Sequence, residues 1–362
     1  MAIYKIYPEK DTTIYSAYPT MNTGLDQILE VLNQTSSFGV SASVSRALIQ
    51  FPSSVINDVI ASKVGNSSYE AYLKMFVANA TQLPDTYTLD FNPISGSWNE
   101  GTGRYLYNPS VTSDCTWIQR ENLLNWATGS LNANTNAIFL NNSPGGGVWY
   151  TNYSGSQTFT IDQSKDIDAN VTSIVRAWRS GSIPNNGIII STELLYEFNT
   201  SSSFDLKYFS KDTHTIYPPQ LEIRWDDSSY NTGSLTVLAN DNTIITLGNN
   251  IGQYNTDTTY QFRVNARQTY PARQFVTQSV YTLNNALPSS SYYAVQDLDT
   301  GEYVVDFSVN YTKISCDSNG NYFKLYMAAF QPERYYKILI KSSFADGSTV
   351  VFDNNYTFKI NK

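Results

Sequence analysis

Residues 94–117 read ISGSWNEGTGRYLYNPSVTSDCTW, and the fold of the N-terminal half turns on them. A W-x-E-G-x-G core, Trp98–Gly103, is followed by a loop rich in Tyr, Asn and Ser and then by a second tryptophan, Trp117. Burying a large aromatic side chain is worth a few kcal/mol, so two tryptophans this close mark chain that wraps onto a core. The glycines predict a turn whose backbone passes close to something or takes φ > 0. By itself the stretch reads as the corner of a β-sandwich and not as an active site.

Composition agrees with that reading. The chain has 362 residues, 41% hydrophobic and 15% charged, with 28 Tyr and 17 Phe, and Asn, Ser and Thr fill most polar positions. Aromatics with short polar residues favour strands and turns over helices. The length gives a prior of two or three domains. Net charge is −8 with a pI near 4.7 and no basic stripe, which argues against nucleic-acid binding. The N-terminal MAIYKIYPEKDTTIY carries no apolar run of signal-peptide type, and no stretch approaches a membrane span. The expectation is a chain folded in a cytosol, or exported without a cleavable signal. Cys115 and Cys316 fall in different expected domains and read as free, buried thiols suited to a reducing compartment. The N-x-S/T triplets at Asn79, Asn152 and Asn170 follow from the composition.

Around the opening stretch, period-two patterns predict strands. Ala47, Ile49 and Phe51 share one face of Ser45–Phe51, and Tyr69–Val77 alternates although its residues are good helix formers. Further strands are expected at 3–7, 28–32, 87–91, 137–140, 157–161, 188–191, 205–209 and 220–225, with a loop at 143–147. One helix is expected near 168–181. Val171, Ile174, Val175 and Trp178 form a single apolar stripe, Asp168 or Asn170 caps the start, and Gly181 sits at C′. The turn-rich DDSSYNTG of 226–233 reads as a linker, and beyond it short strands recur between Asn/Asp/Gly turns. They are expected at 234–238, 243–247, 260–266, 292–297, 303–307, 322–325, 335–340 and 356–360. The predicted organisation is all-β: a sandwich over 1–226, a linker over 227–233 and a second sandwich over 234–362.

Five ordered motifs in the first 225 residues resemble those of the DNRLRE-type domain family. They are Lys10–Tyr15 with Asn22 and Gly24, then Arg46–Phe51, then Trp98–Gly103 with Trp117. Val171–Trp178 with Gly181 and Asn186-Gly187 comes next, and Phe209-Ser210 with Pro219–Trp225 closes the series. The chain departs at Cys115, where a small residue is common, and at Lys211-Asp212, where the family tends to have Arg-Glu. This resemblance implies a jelly-roll sandwich shaped like a carbohydrate-binding module. The phrases Tyr260–Ala266, Tyr270–Phe275, Tyr292–Asp299, Tyr311–Tyr322 and Gln331–Ile340 resemble a domain of virion structural proteins from contractile-tailed phages, cyanophages among them. That resemblance implies an immunoglobulin-like particle component without chemistry of its own.

Catalytic chemistry finds little support in the residues. His214, the one histidine, lies in a loop-like KDTHTIYPP and lacks triad partners. One His and two distant Cys do not make a zinc site. Glu100 has no facing carboxylate for glycoside hydrolysis, since Asp85, Asp90 and Asp114 sit in turn-like settings, and it reads as bonding its own turn's amides. A structural calcium would draw on Asp11, Asp26 and Glu30. Trp126, Trp149 and Tyr150 beside SPGGG have the residue types of a sugar platform, a core or a subunit contact. Glu333 and Arg334 point to opposite faces of a strand and so do not pair with each other; either can reach a partner chain.

These readings converge on a non-enzymatic virion protein of a bacteriophage, without a cofactor. It would be a capsid decoration, collar, neck or tail component assembled in the host cytoplasm. It is expected to contact other virion proteins, or itself as an oligomer, by aromatic burial and by pairing of strand edges, with no nucleic-acid or membrane partner. The alternative is a carbohydrate-binding adhesin module that attaches the particle to a surface glycan.

Overall fold

The computed structural model describes residues 2–35, 42–126, 136–137, 145–193, 197, 203–256, 258–271 and 284–362. The expected strand residues 138–140, loop residues 143–144 and motif residues 272–275 lie outside them. The protein is all-β, as its composition predicts. Two compact units comprise residues 6–61 with 70–222, and residues 1–5 and 62–69 with 223–362. The first is called here the N-unit and the second the C-unit.

The N-unit is built on an eight-stranded sheet. In order, its strands are Gly155–Thr160, Thr86–Pro93, Ile188–Thr192, Ala42–Gln50, Ile28–Thr35, Phe204–Phe209 and Val77–Thr81, with Lys10–Tyr15 also paired to Ala42–Gln50. Ala42–Gln50 is central because both its faces are apolar: Ala47 and Ile49 point one way, Val44 and Leu48 the other, and all four are buried. The sequence reading assigned only the first face. The second receives Trp98, Trp117, Trp126 and Trp149, so the opening stretch is the lid of this sheet. Tyr69–Met75 is a strand despite its helix formers, paired antiparallel with Ile167–Asn170 and burying Ala71, Leu73 and Met75.

The helix near 168–181 is shorter than expected, Thr172–Ser180. Ile167 and Ala169 alternate into the interior, which keeps Asp168 and Asn170 in a strand. The Asn170 side chain accepts the Thr172 amide at 3.0 Å, and Gly181 ends the helix at φ +73°. A second short helix, Ser53–Val59, follows Pro52.

The C-unit contains two sheets. One orders Thr243–Leu247, Thr259–Gln268, Gly320–Tyr326 and Ser315–Asp317; the other orders Gln253–Asn255, Thr349–Asn361, Tyr335–Ser343, Ser291–Asp297 and Tyr303–Val305. Gln253–Asn255 runs parallel to the last strand, and the other strand pairings within these two sheets are antiparallel. Phe262 and Phe323 face each other across the first sheet with rings 5.3 Å apart, and Tyr293 of the second stacks on Phe323 at 4.4 Å. Aromatic stacking of this kind joins two sheets into one sandwich core. Two expectations need correction. Ser234–Leu238 forms only a bridge, Val237 to Ala286, and the last strand begins at Thr349. Its polar DNN is a bulge within the strand, with Asn355 at φ +55°, and not a turn before it. The 226–233 stretch is also anchored: Cys316 N donates to Ser229 O and Asn231 N donates to Cys316 O, both at 2.9 Å.

Candidate functional site

The order of the sequence motifs becomes a single place in the N-unit. Asn22, fully buried, donates from Nδ2 to Glu100 O at 2.7 Å and to Cys115 O at 2.8 Å, and its Oδ1 accepts Gly103 N at 2.7 Å. A Cβ on Gly103 would meet Asn22 O at 2.1 Å, and Gly101 takes φ +80°, so both glycines are required by geometry. The Glu100 carboxylate accepts Asp11 N at 2.8 Å and lies 3.2 Å from Lys211 Nζ. It therefore ties the strand Lys10–Tyr15 to the turn at Lys211, where the sequence reading had it bonding its own turn. Asp11 Oδ2 accepts Lys211 N at 2.7 Å, and Asp212 pairs with Lys211 Nζ at 3.0 Å. Lys211 and Asp212 thus place one cation and one anion side by side at this point. Lys10 stacks over Trp98 at 4.6 Å and donates to Trp98 O.

Burial pushes the Asp11 carboxyl up to about 8, with the Lys211 amide opposing, and raises that of Glu100. Ligand oxygens of Asp11, Glu100 and Asp212 lie within 4.8 Å of one another. Lys211 Nζ pairs with two of the three, Glu100 and Asp212, and its backbone N donates to the third. The calcium set of Asp11, Asp26 and Glu30 is not assembled. Asp26 accepts Tyr105 N at 3.0 Å, while Glu30 takes Lys207 Nζ at 2.9 Å and the Tyr15 hydroxyl at 3.0 Å.

Beneath the lid, Arg46 is fully buried between Trp117 and Trp149, its guanidinium 5.0 and 5.1 Å from the two rings. Nε and Nη2 each donate to the Glu197 carboxylate at 2.6 Å, and Nη1 donates to Gly146 O. Trp126 and Trp149 are 3% and 2% exposed. They are core, which corrects their reading as a sugar platform or partner contact. The physical reason is the second apolar face of Ala42–Gln50, which they cover. Tyr150 is half-buried, its amide bonded to Pro93 O at 2.9 Å. In the C-unit, Arg334 binds Asp297 through two bonds of 2.7 and 2.6 Å, and Glu333, at φ +62°, pairs with Lys359. They lie just before the strand Tyr335–Ser343 and not on opposite faces of it, and each has a partner within the chain.

What faces outward over the tryptophans is a crown the sequence reading did not single out. Tyr18 and Tyr105 pack edge to face at 6.0 Å, and Tyr105 also lies 5.1 Å from Tyr15. Leu106 N reaches Met21 Sδ at 3.4 Å, and Ile118 N donates to Pro19 O, so two loops lean on the one 18–21 turn. They hold Tyr18, Tyr105, Leu106, Tyr107, Leu123 and Leu124, all exposed, with Leu123 at 83%. These are six of the fifteen exposed large hydrophobics among the described residues. Leu106 and Leu123 sit at φ +51° and +63°, a backbone state that costs a bulky residue roughly 1–3 kcal/mol and persists only where surroundings enforce it. A signal existed in the sequence: the apolar residues of RYLYNP and NLLNW stand in otherwise polar loops.

Compared with models of known protein families, with curated proteins and with solved structures, the chain matches none. Among the described residues, no helix is long and apolar enough to cross a membrane.

Proposed function

We propose that the protein is a bacteriophage virion structural component that acts by protein–protein contact, with the crown of the N-unit as its contact surface. The observation that carries this reading is the crown itself: exposed tyrosines and leucines on two loops tied to the 18–21 turn, two of the leucines on left-handed backbone, over buried tryptophans. Large apolar side chains left exposed on adjoining loops mark interaction sites, and tyrosines among them suit protein partners. The virion assignment rests on the resemblance of the C-terminal phrases.

The mode of contact is narrower than the sequence suggested. Several sheet edges are tied within the chain. Lys5 Nζ donates to Val304 O, Asn354 Nδ2 to Ile245 O, and Lys165 Nζ to Thr160 O and Ile161 O. Gln157 bridges to Asp166 O and Asp168 N. Edges managed in this way resist pairing between chains, which favours loop contact. A glycan-binding reading keeps one supporting observation, the half-exposed Tyr18 and Tyr105 beside Asp26. The test is particle assembly with Tyr107→Ser and Leu123→Ser. Folded variant protein that no longer enters particles supports the contact role; wild-type incorporation of both variants, with binding on a glycan array that they lose, supports the adhesin.

A further inference from the structure

We propose that Asn319 is a site of spontaneous deamidation, a covalent clock built into the C-unit hairpin 317–320. The sequence holds two Asn-Gly pairs, Asn186-Gly187 and Asn319-Gly320. Glycine leaves the following amide unshielded by a Cβ, so both pairs have the covalent prerequisite. The fold then separates them. Asn186 is half-buried, its Nδ2 donates to Ile94 O at 3.4 Å, and its own carbonyl accepts Trp98 Nε1 at 2.7 Å. Asn319 is exposed at the hairpin tip. Its main chain is held, with N donating to Asp317 Oδ1 at 2.8 Å and O accepting Asn284 Nδ2 at 3.1 Å, while its side-chain amide has no partner among the described residues.

The glycine amides do not discriminate the pairs, because Gly187 N donates to Asn185 and Gly320 N to Asp317. What differs is the freedom of the asparagine side chain and its access to water. Asp346-Gly347 is the related acidic pair, and there Asp346 Oδ1 accepts both Ser348 N and Ser348 Oγ, at 2.9 and 2.6 Å. That engagement holds its carboxylate as the tip of Asn319 is not held.

The chemistry needs only water. Gly320 N gives its proton to hydroxide and bonds to Asn319 Cγ, the Cγ–Nδ2 bond breaks, and ammonia leaves with a proton from water. Water then opens the succinimide at either carbonyl, giving aspartate or isoaspartate. The net change is amide plus water to carboxylic acid plus ammonia. Either product adds a negative charge beside Asp317, whose carboxylate holds Arg263 through bonds of 2.7 and 2.8 Å. The isoaspartate route also lengthens the main chain by a methylene where Asp317 faces Gly320 in the ladder, so it breaks the register.

The test is ageing of the full chain at mildly alkaline pH, with peptide mass mapping and enzymatic methylation of isoaspartate. In the folded protein, Asn319 should convert about tenfold or more faster than Asn186, a barrier difference of ~1.4 kcal/mol. In denaturant the two rates should converge, and Asn319→Gln should remove the isoaspartate signal from the folded protein. Equal rates in the folded chain, or an unreactive Asn319 that reacts once denatured, would overturn the proposal.

Discussion

Replacing Arg46 by methionine is expected to cost about 3–5 kcal/mol of N-unit stability, the range for breaking a buried ion pair on one side. The geometry puts this pair at the stronger end of such interactions. Both side chains are essentially buried, the guanidinium–carboxylate contact is bidentate at 2.6 Å, and the cation lies between two indole faces. Arg46→Met leaves Glu197 buried without its counter-ion, and Glu197→Leu leaves Arg46 in the same position. Either change alone should lower the melting temperature of a unit of this size by ~6–20 °C. The double variant Arg46→Met/Glu197→Leu removes both charges and should recover most of the loss, because well-packed apolar residues often replace a buried pair at little cost. Scanning calorimetry and urea unfolding of the four proteins form a double-mutant cycle. Additive losses, or single variants within ~0.5 kcal/mol of wild type, would refute the claim that this buried pair stabilises the N-unit.

Other outcomes follow from the same contacts. Asn22→Ala orphans the Gly103 amide and the Glu100 and Cys115 carbonyls, and should cost at least ~2 kcal/mol by denaturant unfolding. Asp11 has a folded-state pKa of about 8 against an ordinary 3.8, so the folded state binds its proton more tightly. That stabilisation is complete below about pH 4 and is lost as pH rises through about 8. Asp11→Asn should flatten this decline, which amounts to a few kcal/mol, when stability is measured from pH 5 to 9. Because Lys211 Nζ already pairs with Glu100 and Asp212, and burial favours the protonated form of Asp11, adding calcium or a chelator should leave the melting temperature unchanged; a calcium-dependent rise would contradict that reading. Tyr107→Ser and Leu123→Ser, both at exposed positions, should change stability by no more than ~0.5 kcal/mol while weakening partner contact.

The all-β class and most strand positions were legible in the sequence, because period-two patterning reports burial directly; residues 94–117 read only as a sandwich corner, and their role as the lid of the sheet came from the structure. The central strand shows the limit of that signal. Ala47, Leu48 and Ile49 form a continuous apolar run, the mark of a strand covered on both faces, but reading only alternate positions left the core reading of Trp126 and Trp149 without a surface to cover. Arg46 within that run was a visible anomaly, but its partner Glu197 lies 151 residues away and carries no local signal. The Asp11–Glu100–Lys211 clamp was legible as motif order and not as geometry, since spacing along the chain does not say which carboxylates meet. The long strand Thr349–Asn361 was shortened because a bulge and a turn use the same residues, Asp and Asn, for the same positive φ.

The central claim, that the crown is a contact surface within a particle, is tested most directly by cryo-electron microscopy of purified virions. The account predicts the chain at a fixed symmetric position, with Tyr18, Tyr105, Leu106, Tyr107, Leu123 and Leu124 covered by a neighbouring subunit. Absence of the chain from intact particles, or a crown open to solvent in every copy, would contradict it.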